Sequence, residues 1–209
     1  MTNWAEGLQK VLDPSSDDKP YYEAIGRFVV AYAQLEGVLH TLARRLSGLK
    51  DDKARIVFSG MRLGDLNTRI RGLLRVTKRS PKVKADIEAC LSQCDVIGIE
   101  RDKMVHRYVQ YATGTISISN EMTAKSPLAA ERDLFTINDL MRLQIDCWTI
   151  VLRIMHIMGP AFIRAADKKE LRMLHEPWQY KPRQRQTQKK QSRKKATAKL
   201  PTPPRSSRA

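Results

Sequence analysis

The sequence has few cysteines and no long apolar run, and these two shortages exclude several classes of protein. Only three of the 209 residues are Cys, too few for a scaffold held together by disulfides. No apolar stretch approaches the ~18–20 residues of a membrane-spanning helix. The first ten residues also lack the apolar segment of a secretory signal. We therefore expect a cytoplasmic protein that makes no contact with a membrane.

Acidic residues are absent from the end of the chain. The segment from Pro177 to Ala209 contains eleven Lys and Arg and no Asp or Glu, so it carries most of the formal net charge of +16. It has almost no large aliphatic side chains and cannot bury enough surface to offset the entropy of ordering. The sequence thus predicts a polar segment at 1–19, a helical domain at 20–176 and a disordered basic tail at 177–209.

Apolar residues that recur every three or four positions predict most of the chain to be helical. The helix predicted from the apolar residues at 25–46 is expected to end at Ser47-Gly48. Thr136 with Asp139 is close to a capping box at the start of the helix predicted at 136–158. The apolar stripes cover residues 4–12, 25–46, 54–61, 66–76, 83–108, 136–158 and 161–175.

In one short segment, polar and apolar residues alternate with a period of two instead. Residues Thr115 to Ser119 read as a strand, with Tyr108 to Ala112 as its hairpin partner and Thr113-Gly114 as the turn. Residues 121–133 are expected to form a loop. The predicted fold class is therefore all-α, a helical bundle with a small β-hairpin inserted before the last long helix.

The cysteines are interpreted as buried thiols rather than metal ligands. Cys90 and Cys94 lie one helical turn apart, but only His106 is near them in sequence as a further ligand. We expect no metal and no cofactor.

The residues that most suggest chemistry lie at the end of the stripe 83–108. Arg101-Asp102 is followed by His106. Residues four apart share a helix face, so Asp102 is placed to orient the imidazole. An imidazole can transfer protons, and an Arg can stabilise charge on a phosphate through its planar fork of donors. These groups suit proton transfer next to a bound phosphate.

In this motif and its surroundings the chain resembles the HEPN superfamily of helical ribonucleases and their relatives. The family signature is an Arg, usually followed by a polar residue, with a His about four to six residues later near the end of a core helix. The resemblance covers roughly Tyr21 to Gly159 in architecture, and its specific part spans six residues. It implies that Arg101, Asp102 and His106 are catalytic residues of a metal-independent endoribonuclease.

The resemblance also implies partners and a setting. HEPN proteins commonly form a homodimer that places two motifs across one cleft, and they act in toxin–antitoxin systems or anti-phage defence, so an antitoxin protein is an expected partner. Two positions depart from the family pattern. Asp102 stands where active members most often have Asn, and Arg107 stands where a small residue is common. A carboxylate at 102 adds negative charge where a phosphate must bind.

The same residues also have a structural interpretation. Glu36 falls inside the apolar stripe 25–46, where a carboxylate is costly without a partner. It is expected to form an ion pair with Arg101, either as architecture or as support that holds Arg101 in a site. The alternative function is a catalytically inactive helical interaction module held to nucleic acid by the basic tail. A third possible function is that of a DNA-binding accessory protein, but the sequence shows no clear helix-turn-helix spacing that would support it.

Two groups of basic residues are predicted to contact RNA or another nucleic acid. Arg69, Arg71 and Arg75 line one side of a short helix. The alternative interpretation is that this side is a solvent-exposed face with no role in binding. The basic tail carries a dense cationic strip, which binds polyanions without sequence preference. At its root, Trp178 and Tyr180 are expected to stack on bases. The strip consists of Lys181, Arg183, Arg185, Lys189, Lys190, Arg193, Lys194 and Lys195.

Overall fold

The computed structural model describes residues 19–112, 115–121, 123–125, 130–159 and 174–182, and within these ranges it has five helices and three strands. The helices are α1 (Lys19–Ser47), α2 (Asp51–Phe58), α3 (Leu63–Val76), α4 (Pro81–His106) and α5 (Ile137–Met158). The strands are β1 (Tyr108–Ala112), β2 (Thr115–Ser119) and β3 (Arg132–Phe135). No helix in these ranges is long and apolar enough to cross a membrane.

The centre of the bundle is formed by α1 and α5. On α1, Phe28, Leu35 and Leu39 are fully buried because their spacing places them on one helix face. At the far end of the same helix, Arg45 donates to the carbonyl oxygen of Met158 at 2.6 Å. The starts of the two helices also meet around a shared apolar pocket, so α1 and α5 run side by side in the same direction.

The helix ends follow the signals in the sequence. α1 ends at Ser47, and Gly48 adopts a φ of +66°, a conformation that glycine takes without steric cost. Pro81 opens α4. Thr136 and Asp139 form a reciprocal capping box at the start of α5. The predicted ends of the long helices are therefore confirmed to within about two residues, whereas α1 begins one to two turns before its apolar stripe.

The β-structure is larger than predicted. The hairpin of β1 and β2 is present, with Tyr108 opposite Ser119, although its two-residue turn lies outside the described residues. β3 pairs antiparallel with the other side of β2, with Ile116 opposite Phe135, which makes a three-stranded sheet. The loop predicted for residues 121–133 is therefore wrong at its end, because the four-residue β3 is too short for a visible alternation.

The three cysteines are free and buried, as predicted. Burial raises the pKa of the Cys90 thiol to about 12, and it raises the pKa of Cys94 and Cys147 as well. Because the thiolate is the reactive form of cysteine, these groups are chemically inert packing residues.

The chain from Glu176 to Tyr180, here called the docked segment, packs back onto the bundle. Asp146 of α5 is only 1% exposed. Its carboxylate accepts hydrogen bonds from the backbone N–H of Gln179 at 2.7 Å and of Tyr180 at 2.9 Å. Gln93 of α4 donates to the same carboxylate at 2.8 Å. Burial raises the pKa of Asp146, while these three donors act in the opposite direction.

The aromatic residues of the docked segment belong to the domain. Tyr180 is 5% exposed, and the Arg153 guanidinium lies 4.2 Å from the centre of the Trp178 ring. Arg153 also donates to the carbonyl oxygen of Glu176. The expectation that Tyr180 stacks on bases is therefore wrong, because its ring is buried against the bundle. The packed chain extends past the predicted start of the tail at Pro177.

Several predictions lie outside the described residues. The predicted helix at 4–12 does so entirely, and the one at 161–175 does so except for its last two residues. The basic tail beyond Pro182 is also outside, with Arg183, Arg185, Lys189, Lys190, Arg193, Lys194 and Lys195.

Candidate functional site

An open groove of about 570 Å³ lies among α1, α3 and α4. The three residues of the predicted catalytic motif, together with Glu36 of α1, line it. The lining residues are Tyr32, Glu36, Arg62, Leu63, Gly64, Asp95, Gly98, Ile99, Arg101, Asp102 and His106. The packing of three helices thus brings Glu36 of α1 to the same surface as Arg101 and His106 of α4.

Arg101 is held on two sides. Its Nη1 donates to Oδ1 of Asp102 at 3.0 Å, and its guanidinium carbon lies 5.4 Å from the centre of the Tyr32 ring. A cation this close to an aromatic face is attracted by the negative charge of the ring face. The side chain remains 32% exposed, so Arg101 is fixed in position and still open to the groove.

Tyr32 is a site residue that the sequence reasoning missed. Its ring is buried and packs edge-on against Phe28, with 6.3 Å between the ring centres. Burial, and to a lesser extent the negative charge of Glu36, raises the pKa of the Tyr32 phenol above its ordinary range. The phenol therefore stays protonated and remains a hydrogen-bond donor. The sequence indicates this role only indirectly, because Tyr32 lies one helical turn before Glu36 in the same apolar stripe.

Glu36 supports the groove by a different contact from the one predicted. No ion pair joins Glu36 to Arg101 in the part of the chain that the structure describes, so that prediction is wrong. Instead, Oε1 of Glu36 accepts a hydrogen bond from the backbone N–H of Leu63 at 3.2 Å. The N-cap residue, Arg62, provides no side-chain cap of its own. Glu36 thus satisfies a free N–H at the start of α3, where negative charge also suits the helix dipole.

His106 is the exposed end of the motif. It lies in the last turn of α4, on the groove. Asp102 was expected to orient its imidazole, but among the described residues no hydrogen bond joins the two side chains. Asp102 is 64% exposed and contacts Arg101 instead. The structure therefore places His106 in the groove with its imidazole accessible to a ligand.

A second set of charged residues on the same helical turns faces the sheet. Lys103 Nζ lies 2.9 Å from Oε2 of Glu100, which is buried, and 3.4 Å from Oδ2 of Asp133. Arg107 contacts Asp133 and Glu131 at 3.3 Å each. These contacts tie the end of α4 to the sheet. Sheet-facing and groove-facing charges thus alternate along α4, as the helical period requires.

The basic residues predicted on α3 lie outside the groove. Arg71 bonds to Glu88 and to Asp95 of α4, at 2.8 Å each, and so ties α3 to α4. Arg69 and Arg75 are exposed. Lys181, the one residue of the predicted cationic strip within the described ranges, is exposed as well.

The groove carries both signs of charge, but its carboxylates already have donors. Glu36 accepts from Leu63 and Asp102 from Arg101. Asp95 accepts from Asn67 Nδ2 at 2.7 Å, as well as from Arg71. The negative charge in the groove is therefore partly offset by local contacts.

Comparison of the chain with protein-family models, with curated proteins and with solved structures gave no match. The functional interpretation therefore depends on the chemistry of the groove and on the resemblance of its motif.

Proposed function

We propose that this protein is a HEPN-like helical domain that binds RNA in the groove and cleaves it without a metal ion. The observation that supports this most is a juxtaposition on one open surface. His106 is exposed there, and Arg101 lines the same groove against the ring of Tyr32. A proton-transfer group and a fixed cation are two of the parts that such a reaction needs, and the third is a proton donor for the leaving oxygen.

In the proposed reaction the imidazole of His106 takes the proton from a ribose 2′-hydroxyl. The 2′-oxygen attacks the adjacent phosphorus, and the bond to the 5′-oxygen breaks, which leaves a cyclic phosphate. Arg101 stabilises the negative charge that develops on the phosphorus-bound oxygens. The leaving 5′-oxygen takes a proton from the His106 of a second copy in a homodimer. One proton is taken up and one is delivered, so the step is balanced.

The wider setting of this proposal follows from the resemblance. The protein would act in a toxin or anti-phage system and would be restrained by an antitoxin protein. The basic tail would add affinity for RNA through contacts with phosphates, and such contacts weaken steeply as salt rises.

The first test is cleavage of end-labelled total RNA in the presence of EDTA. We expect the intact protein to cleave and His106→Ala to lose at least about a hundredfold in rate, which is the usual contribution of general acid–base catalysis. His156→Ala is the matched control, because His156 is also exposed at a helix end but does not line the groove. Equal activity of the two variants would remove His106 from the reaction.

The second candidate function is a catalytically inactive interaction module. The observation in its favour is that Glu36, Asp95 and Asp102 bring three carboxylates to the groove, and carboxylates oppose the binding of a phosphate. RNA binding by the intact protein without any cleavage would favour this alternative and would leave Arg101 and His106 with a structural role.

A further inference from the structure

Arg62 is the basic residue of the groove that the sequence motif does not include. It is the N-cap of α3, and its side chain is exposed on the groove. Within the described ranges Arg62 makes no ion pair. Arg101, in contrast, is paired with Asp102, and Arg71 is paired with two carboxylates. Arg62 therefore offers the groove a positive charge that no carboxylate of the described chain neutralises.

The backbone that carries Arg62 is fixed by a close approach of α3 to α4. A Cβ atom added at Gly98 of α4 would lie 3.2 Å from Cδ2 of Leu63, so the missing side chain lets Leu63 pack against α4. The N–H of Leu63 is also held by Glu36. Arg62 is thus presented from a rigid position on the α3 side of the groove, whereas Arg101 and His106 lie on the α4 side.

We propose that Arg62 is a substrate-binding residue that holds a phosphate of single-stranded RNA on the α3 side of the groove. This inference rests on the proposed function. Arg101 and His106 act on the neighbouring phosphate on the α4 side. A strand that crosses the groove brings a negative charge to each side, and backbone contacts of this kind fix the register of a nucleic acid. The volume of about 570 Å³ is that of a pocket for a drug-sized ligand, which matches one or two nucleotides and not a duplex.

The role assigned to Arg62 is binding and not chemistry. A phosphate that does not react keeps the same charge in the ground state and in the transition state. Its contact with Arg62 therefore contributes equally to both states, which lowers KM and leaves kcat unchanged. Arg101, which acts on the reacting phosphate, contributes to kcat.

Binding is tested separately from cleavage in full-length protein that carries His106→Ala. The probe is a short fluorescein-labelled single-stranded RNA, titrated at several salt concentrations. We expect Arg62→Gln to weaken binding about tenfold, the effect of one charged hydrogen bond. The slope of log affinity against log salt should fall by about 0.7, the value for one phosphate contact of a single strand.

The matched control is Arg27→Gln, which removes the same charge from the exposed face of α1 outside the groove. The basic tail is identical in all proteins, so it does not contribute to the difference. Equal weakening by Arg62→Gln and Arg27→Gln would overturn the assignment, and so would an equal effect of Arg62→Gln on a duplex of the same sequence. In the protein that retains His106, Arg62→Gln should raise KM about tenfold at constant kcat.

The two proposals fail in different ways. Binding of RNA that depends on Arg62, without cleavage by the intact protein, would remove the nuclease and keep the binding site. Cleavage that depends on His106 but not on Arg62 would keep the nuclease and remove this site.

Discussion

The contact between Arg101 and Asp102 determines how much positive charge the groove offers to a ligand. The guanidinium is held against Tyr32, but one of its nitrogens is occupied by the Asp102 carboxylate at 3.0 Å. Asp102 is mostly exposed, and an exposed ion pair is worth at most ~1 kcal/mol. In the proposed function, an incoming phosphate would therefore take the place of a weakly held carboxylate.

Replacing that carboxylate by an amide should strengthen RNA binding. We expect Asp102→Asn to raise the affinity for single-stranded RNA about two- to fivefold. This factor corresponds to removing the carboxylate that competes with the phosphate for Arg101, a contact worth less than ~1 kcal/mol. Stability should change by less than ~0.5 kcal/mol, as for most surface substitutions. Fluorescence anisotropy and thermal melting measure the two quantities. Asp52→Asn removes the same charge on α2 outside the groove, and an equal gain in that variant would contradict the explanation.

Among the elements, α3 determines the shape of the groove. It is held to α1 by the hydrogen bond from Leu63 to Glu36 and to α4 by the ion pairs of Arg71. At Gly98, α4 has no side chain to keep α3 away. The distance between the α3 side and the α4 side of the groove is therefore fixed by contacts at the start and in the middle of α3.

A methyl group at this contact should change the groove more than the stability. Gly98→Ala gains about 1 kcal/mol of helix propensity and loses a similar amount by crowding Leu63. We therefore expect a free energy of unfolding within ~1 kcal/mol of the original, together with severalfold weaker RNA binding, because the backbone of Arg62 moves. Gly72→Ala on α3 is the control, since nothing lies within 4 Å of a Cβ atom there.

The Gly72→Ala control should be stabilised by up to ~1 kcal/mol in urea denaturation, with unchanged RNA affinity. Unchanged RNA binding by Gly98→Ala would show that the close approach at Leu63 does not position Arg62.

For the whole molecule, the docked segment determines where the domain ends. Asp146 is buried, and it accepts hydrogen bonds from the backbone of Gln179 and Tyr180. A chain that stops at Glu176 loses both donors and exposes the surface that Tyr180 covers. A chain that stops at Pro182 keeps every one of these contacts and loses only residues 183–209.

The two truncations should therefore differ in stability. Truncation after Glu176 should lower the free energy of unfolding by about 3–5 kcal/mol, because it leaves a buried charge with too few partners. Truncation after Pro182 should change it by less than ~0.5 kcal/mol. Urea denaturation followed by far-UV circular dichroism measures both. Two shortened chains of equal stability would show that the docked segment adds nothing to the domain.

The sequence was informative wherever the determinants of structure are local. The periods of α1, α4 and α5, and the capping box of Thr136 and Asp139, are readable from neighbouring residues. They also place Arg101 and His106 near the end of one helix. Contacts between distant residues have no such local pattern. Gln93 and Asp146 are 53 residues apart, and the partner of Glu36 proved to be a backbone N–H.

Some of what was missed had a signal in the sequence. Asp146 falls within the apolar stripe of α5, between Leu143 and Ile150, and a carboxylate there requires buried donors. Arg62 had no signal, because it stands between two helices outside any motif. Its significance comes only from the packing of α3 against α4.

The sheet-facing charges of α4 have an evolutionary consequence. Glu100, Lys103 and Arg107 are linked through Asp133 and Glu131, so loss of one member leaves its partner poorly compensated in a partly buried place. Substitutions in related chains should therefore accumulate at these positions as compensating pairs. On the same turns, the groove-facing Arg101 and Asp102 form a more exposed pair, which constrains their substitution less. A lineage can thus acquire a new ligand preference on one side of α4 while the other side preserves the attachment of the helix to the sheet.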